Sequence, residues 1–174
     1  MNTINEYLSL AEFESIIFGN NKVVVSDVVL NRINESFNFL KEFSGNKVIY
    51  GVNTGFGPMA QYRIKESDQI QLQYNLIRSH SSGTGKPLSP VCAKAAILAR
   101  LNTLSLGNSG VHSSVIHLMA ELINRDITPL IFEHGGVGAS GDLVQLSHLA
   151  LVLIGEGEVF YKGDRRPTQE VFEI

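Results

Sequence analysis

One loop carries the residues best suited to chemistry: the run from His134 to Asp142 reads His-Gly-Gly-Val-Gly-Ala-Ser-Gly-Asp. Its glycines allow backbone conformations that other residues avoid, and an apolar helix is predicted to begin directly after it. Backbone N–H groups and the positive end of the helix dipole gather at such a helix start. The loop therefore offers a substrate its backbone groups and one hydroxyl, that of Ser140.

Two interpretations of this loop follow from known sequence patterns. Gly136-x-Gly138-x-x-Gly141 matches the dinucleotide-binding fingerprint. The carboxylate of Asp142 at the helix start argues against this interpretation, because it would repel a pyrophosphate. A nucleophile elbow with the pattern Gly-x-Ser-x-Gly would also fit, except that Asp142 stands where the last glycine is required.

A third interpretation is self-condensation of the backbone at Ala139-Ser140-Gly141. Attack of the Gly141 amide nitrogen on the Ala139 carbonyl carbon would close a five-membered ring. Loss of the Ser140 hydroxyl as water would then leave an electrophilic alkene conjugated to carbonyl groups. Small residues on both sides of the serine suit this closure, since a larger side chain would obstruct the tight approach.

This motif and a second one upstream resemble those of one enzyme family. Ala139-Ser140-Gly141-Asp142 resembles the methylidene-imidazolone (MIO) motif of the aromatic amino acid ammonia-lyases. The run Tyr-Gly-Val-Asn-Thr-Gly-Phe-Gly at residues 50–57 resembles their catalytic tyrosine loop. Both motifs lie in the family's order and at about its spacing. The resemblance covers essentially all 174 residues and reaches the N-terminal third or so of a family chain.

The resemblance implies a prosthetic group and a base. Ala139, Ser140 and Gly141 would form MIO autocatalytically, without metal or nucleotide, and Ser140 and Tyr50 would be the catalytic residues. Tyr50 would remove a proton from the β-carbon of the substrate. A phenol with its reference pKa of about 10 is mostly protonated at neutral pH, so positive helix ends or hydrogen bonds would have to stabilise the phenolate. Gly57 is expected to bind substrate as the loop closes over it.

The resemblance also implies substrate contacts from Ser79 and His80, at positions that face the aromatic ring in the family. A Ser-His pair there resembles histidine ammonia-lyases, whereas the whole run from Gln73 to Gly83 resembles tyrosine ammonia-lyases of flavobacterial type. A histidine can bond to a phenol hydroxyl as well as to an imidazole. We expect L-tyrosine as the substrate, giving p-coumarate, with L-histidine and urocanate as the alternative.

Composition argues against several other classes of protein. Apolar residues make up 44% of the chain and charged residues 18%, which argues against disorder. The net charge of −3 provides no basic surface for nucleic acid, and no apolar run is long enough to cross a membrane. Cys92 is the only cysteine, so an intrachain disulfide is impossible, and Met1 to Phe13 lacks the basic start of a secretory signal. We expect a cytoplasmic protein.

The elements that must position these residues are predicted to be mostly helices. Cap residues and apolar spacing predict helices from Ser9 to Phe18, Ser26 to Gly45, Ser67 to Ser82, Ser89 to Gly107, about Ser109 to Arg125, and Leu143 to Ile154. The last of these is apolar on nearly every side, which predicts that it is buried. Asp142 is expected to cap it. The histidines at positions 112, 117, 134 and 148 show no zinc-site spacing, so they are interpreted as packing or cap residues.

The remaining segments are predicted to be extended or irregular. Lys47–Val52 is a short extended piece, Ile127–Phe132 an apolar connector broken by Pro129, and Val171–Ile174 extended. Glu158 to Arg165 predicts a strand and a hairpin turn.

We therefore expect one incomplete domain over residues 1–174. It is mainly α, with a small β-hairpin near its C-terminal end, and the resemblance implies the N-terminal part of an L-aspartase/fumarase-like helical lyase fold. The resemblance also implies a homotetramer whose active sites combine loops from several subunits, and it implies that the remaining catalytic residues lie beyond Ile174. This segment alone is therefore predicted to be inactive. A dinucleotide-binding module, which needs a βαβ unit around Gly136, and a non-catalytic remnant with an uncyclised loop are the alternatives of other classes.

Overall fold

Helices make up most of the chain, as expected. The computed structural model describes residues 1–19, 21–138 and 141–174. Its helices are α1 (Leu10–Ile17), α2 (Asp27–Asn46), α3 (Glu66–His80), α4 (Pro90–Leu104), α5 (Ser113–Asn124), α6 (Leu143–Leu153) and α7 (Thr168–Phe172), with a 3-10 turn at Gly57–Met59. Its strands are β1 (Asn2–Ile4), β2 (Val23–Val25), β3 (Thr84–Pro87), β4 (Thr128–Pro129), β5 (Phe132–His134), β6 (Glu158–Tyr161) and β7 (Asp164–Pro167). The mainly α fold class is confirmed.

Serine caps begin three of the helices where the sequence predicts them. Ser9 and Glu12 form a reciprocal capping box at α1, in which the Ser9 N–H donates to the Glu12 carboxylate over 2.9 Å. The hydroxyl of Ser26 accepts the Val29 N–H at the start of α2. Ser89 caps α4 in the same way, directly before a proline at the first helical position. The starts of these helices therefore depend on local sequence.

The core lies where α4 packs on α5. Apolar side chains from one side of each helix are fully buried there: Ile97, Leu98, Leu101, Ile116 and Met119. Val29 and Ile33 of α2 join this core, whereas Phe37, on the same helical stripe, is half-buried and packs its ring edge-on against His112. His112 is also the N-cap of α5, which confirms its interpretation as a cap residue.

Short strands join distant parts of the described chain in three small sheets. β1 pairs in parallel with β2, and β3 pairs antiparallel with β5. β4, β6 and β7 form an antiparallel sheet in that order. The predicted hairpin is confirmed: β6 and β7 are joined by Lys162 and Gly163, with φ values of 53° and 87°. Two such residues are typical of a tight type I′ turn.

Two predictions for the second half of the chain are wrong. Ile127–Phe132 is not a plain connector, because it contains β4 and the first residue of β5. Pro129 is tolerated because β4 lies at the edge of its sheet. Val171–Ile174 is not extended, since α7 runs through Val171 and buries it against the core.

The expectation that α6 is buried on nearly every side is also wrong. His148, Leu149 and Val152 are buried, whereas Leu143 is 51% exposed. An open groove runs along α6 beside α4 and α5, and Leu146 and Leu153 lie in its lining. Because the α6 sequence is apolar on nearly every side, it does not indicate which side of the helix lacks a packing neighbour. None of the helices among the described residues is long and apolar enough to cross a membrane.

Candidate functional site

The tyrosine loop begins with a turn, so the extended piece predicted over Lys47–Val52 is wrong at its C-terminal end, although Lys47 itself is extended. The N–H groups of Val52 and Asn53 both donate to the Ile49 carbonyl, over 3.1 and 3.2 Å. Asn53 is 2% exposed. Its side-chain oxygen accepts the Ile49 N–H, and its amide group donates to the carbonyls of Ser44 and Lys47. This buried amide bonds the loop to the end of α2, a role that the sequence analysis did not assign.

Tyr50 lies on this turn with its side chain 63% exposed. Its hydroxyl oxygen accepts a hydrogen bond of 3.1 Å from the N–H of Gly57. Its ring packs edge-on against Phe56, with centroids 6.1 Å apart. Gly57 has a φ of 54°, which favours glycine over other residues. The hydrogen bond from Gly57 and the packing on Phe56 together orient the Tyr50 hydroxyl.

Ser79 and His80 lie together in the last turn of α3. The Ser79 hydroxyl is 3.1 Å from His80 Nδ1 and donates to the Leu76 carbonyl. His80 Nδ1 is itself 2.9 Å from that carbonyl oxygen. Because a carbonyl only accepts, Nδ1 carries a proton in this arrangement, and Nε2 is then the acceptor nitrogen of the neutral ring. The pair therefore presents a hydroxyl and an acceptor nitrogen.

A side-chain hydrogen bond joins α3 to the tyrosine loop. The side-chain amide of Gln73 donates to the Gly51 carbonyl over 3.1 Å. Gln73 and Gly51 lie 22 residues apart in sequence, so this hydrogen bond could not be found from local patterns. It fixes the helix of the Ser79-His80 pair relative to the turn that bears Tyr50.

In the glycine loop, the run from His134 to Asp142, Gly136 lies close to Gly141. Gly138 and Gly141 have φ values of 79° and 68°. A Cβ built on Gly136 would lie 2.2 Å from the Gly141 carbonyl oxygen, so only glycine fits there. Ala139 and Ser140, predicted to form MIO with Gly141, lie outside the described residues.

Asp142 occupies the expected position at the start of α6, but its predicted capping role is wrong. Its side chain makes no capping hydrogen bond to the described residues. Its backbone carbonyl accepts the Leu146 N–H instead. The sharp turn from Gly141 into the helix leaves Asp142 with φ of −120° and ψ of 2°, rather than the extended conformation that lets a side chain cap.

The strand after α3 runs beside the strand that enters the glycine loop, with Thr84 paired to His134. The end of α3 and the loop are therefore neighbours. Among the described residues, no hydrogen bond directly joins Tyr50, the Ser79-His80 pair and Gly141. No group of three metal-ligating side chains comes together in the described part of the chain.

The strands around the glycine loop argue against a dinucleotide site. A βαβ unit would require the strands before and after α6 to be parallel in one sheet. Instead, β5 pairs with β3, and β6 pairs with β4 and β7, always antiparallel. The described chain thus lacks the unit that this alternative needs around Gly136.

Solved structures of two enzymes are similar to this chain over nearly its whole length. A tyrosine aminomutase from Streptomyces globisporus is 35% identical, with a TM-score of 0.88, over 98% of this chain and 32% of its own. Ergothionase, an ergothioneine-degrading enzyme from Treponema denticola, is 27% identical with a TM-score of 0.93, over 98% of this chain and 35% of its own. These likenesses support the helical lyase fold.

Curated relatives and a family model give the same result. A histidine ammonia-lyase from Geobacillus sp. (strain WCH70) is 43% identical over 164 residues, which are 94% of this chain and 32% of that protein. Another from Stigmatella aurantiaca is 49% identical over 130 residues, 75% of this chain and 26% of that protein. This chain thus spans between about a quarter and a third of the length of such relatives. The family model described as aromatic amino acid lyase matches residues 8–174, and the chain belongs to that family.

Proposed function

We propose that this chain is part of an ammonia-lyase that converts L-histidine to urocanate and ammonia. The observation that carries the proposal is the 43% identity to a histidine ammonia-lyase over 94% of the chain. The pair Ser79-His80 agrees with it, because the sequence pattern at these positions is of the histidine type. These relatives support the alternative of the sequence analysis better than its main expectation, L-tyrosine.

The geometry of Ser79 and His80 suits an aromatic ring with a polar edge. With Nδ1 bonded to the Leu76 carbonyl, His80 offers Nε2 as an acceptor. That nitrogen would accept from the N–H of a substrate imidazole, and it would accept equally from a phenol hydroxyl. L-Tyrosine therefore remains the second candidate, supported by the 35% identity to a tyrosine aminomutase.

In this proposal Tyr50, in its phenolate form, takes the proton from the substrate β-carbon and becomes a neutral phenol, and the Gly57 N–H donates to its oxygen. Gly57 belongs to the substrate-binding loop. Ala139, Ser140 and Gly141 would form MIO, which supplies an electrophile when present. The Gly141 carbonyl oxygen lies so close to Gly136 that position 136 has no room for a side chain. The proposed assembly is a cytoplasmic homotetramer in which several subunits complete each site.

The test is a substrate comparison on the full-length protein. Urocanate, p-coumarate and cinnamate are followed by absorbance with L-histidine, L-tyrosine and L-phenylalanine as substrates. We expect the kcat/KM for L-histidine to exceed the others at least tenfold, roughly the discrimination that one good polar contact gives. Preference for L-tyrosine would favour the second candidate, and absence of ammonia release from all three would refute the proposal.

A pair of variants tests the role of Tyr50. Tyr50→Phe removes the proposed base and is expected to lower kcat by roughly 10²- to 10⁴-fold. Tyr62→Phe is the matched control, because Tyr62 is also exposed and lies nearby in sequence. Its activity is expected to stay at the wild-type level. Equal activity of the two variants would contradict the assignment of Tyr50.

A further inference from the structure

Three elements of the site meet at Gly83, three residues after the end of α3. A Cβ built on Gly83 would lie 2.8 Å from His148 Nε2 on α6, 3.2 Å from the Phe132 Cβ on β5, and 3.3 Å from the His134 carbonyl oxygen. The strand β5 leads into the glycine loop, and α6 leads out of it. Gly83 therefore joins the end of α3 to both ends of the loop.

One polar contact holds this junction together. The Gly83 N–H donates to His148 Nε2 over 3.1 Å. His148 is 8% exposed, and its ring packs edge-on against Phe132 with centroids 5.3 Å apart. Sequence patterns suggest only packing or capping for this histidine. The structure adds a defined hydrogen bond across 65 residues of sequence.

We infer that His148 is a positioning residue: by accepting the Gly83 N–H, it fixes the Ser79-His80 end of α3 relative to β5 and α6, the elements that flank the glycine loop. The inference rests on the proposed function for its effect on catalysis, but the contact itself does not. His148 does not reach the substrate in this account. It acts through the backbone of Gly83.

The chemistry of the contact requires a neutral imidazole. Nε2 can accept a hydrogen bond only when it carries no proton, so the ring proton must be on Nδ1. Burial lowers the pKa of His148 from its ordinary value of 6.5, which keeps the ring neutral at neutral pH. Gly83 is half-buried, and without His148 its N–H would lack an acceptor among the described residues, at a cost in free energy.

Two substitutions in the full-length protein separate the hydrogen bond from the packing. His148→Phe keeps a ring against Phe132 but removes the acceptor, and His148→Gln keeps an acceptor without the ring. His117→Phe, on an exposed position of α5, is the matched control. The measurements are hydrogen exchange of the Gly83 amide, resolved within the peptide of residues 81–87, and kcat/KM for L-histidine.

We expect His148→Phe to speed the exchange of the Gly83 amide about tenfold and to lower kcat/KM about tenfold, as the loss of one hydrogen bond predicts. His148→Gln is expected to recover both values to within about threefold. His117→Phe should leave both at the wild-type level. Gly83→Ala gives a second test with His148 in place, because its Cβ displaces Nε2, and it should behave as His148→Phe does.

The outcomes separate this inference from the proposed function. If the wild-type protein does not deaminate L-histidine, the proposed function fails, and the exchange measurements alone decide whether His148 holds Gly83. Wild-type exchange in His148→Phe would overturn the inference. So would faster exchange with unchanged kcat/KM, or equal defects in His148→Gln and His148→Phe, because the role would then not be positioning through an acceptor.

Discussion

Gly136→Ala is expected to force the glycine loop open. The added Cβ would lie 2.2 Å from the Gly141 carbonyl oxygen and 3.3 Å from its carbonyl carbon, whereas ordinary contact begins at 3.4 Å. Both atoms belong to the backbone, so no side-chain rotation can relieve the clash. Overpacking of this kind typically costs about 1–3 kcal/mol. We expect a loss of this size in the free energy of unfolding of the full-length protein.

Gly138→Ala separates this clash from backbone strain. Gly138 has a φ of 79°, and a Cβ there meets no described atom within 4 Å. Alanine at Gly138 should therefore cost about 1–2 kcal/mol of conformational strain without pressing on Gly141. Urea unfolding measures the two losses, and hydrogen exchange of the peptide covering residues 132–145 measures the opening. The reasoning is refuted if Gly136→Ala has wild-type stability and no faster exchange than Gly138→Ala.

Three further predictions concern stability. Because burial lowers the pKa of His148 in the folded protein, the unfolded state binds the His148 proton more readily, and stability should fall as pH drops below about 6.5. His148→Gln should make stability less dependent on pH in urea unfolding, and an unchanged dependence would contradict this prediction. Ser9→Ala removes the capping box of α1 and should cost about 1 kcal/mol, with Ser9→Gly recovering part of the loss; a neutral Ser9→Ala would show that the cap adds nothing. Ile97→Ala, at a fully buried position, should cost about 2–5 kcal/mol in the same assay, and a loss below 1 kcal/mol would place Ile97 outside the core.

Helix starts were predictable from sequence because their causes are local. The capping box of Ser9 and the Ser89-Pro90 pair each act within one turn of the chain. The start of α3 and the pairing of the strands were predicted less well. α3 begins at Glu66 instead of Ser67, whose hydroxyl donates to the Asp68 side chain and caps nothing. The parallel pairing of β1 with β2 joins segments about 20 residues apart, and no pattern in either segment indicates it.

In the candidate site, some residues could be predicted from sequence motifs and others could be found only in the folded structure. Tyr50, Ser140 and the Ser79-His80 pair came from motif resemblance, which locates residues along the chain but not in space. The residues that hold those motifs in place make contacts that the motifs do not show. Asn53 bonds the tyrosine loop to the end of α2, and Gln73 bonds it to α3 across 22 residues of sequence. Such contacts depend on the packed fold, so the sequence alone could not reveal them.

The most direct test of the account is the mass of the peptide that contains Ala139, Ser140 and Gly141, taken from the full-length protein. The account predicts a peptide lighter than its sequence by two waters. Ser140→Ala, which has no side-chain hydroxyl to lose, cannot show the loss of both. A wild-type peptide of unmodified mass, from a preparation that still releases ammonia from its amino acid substrate, would contradict the account.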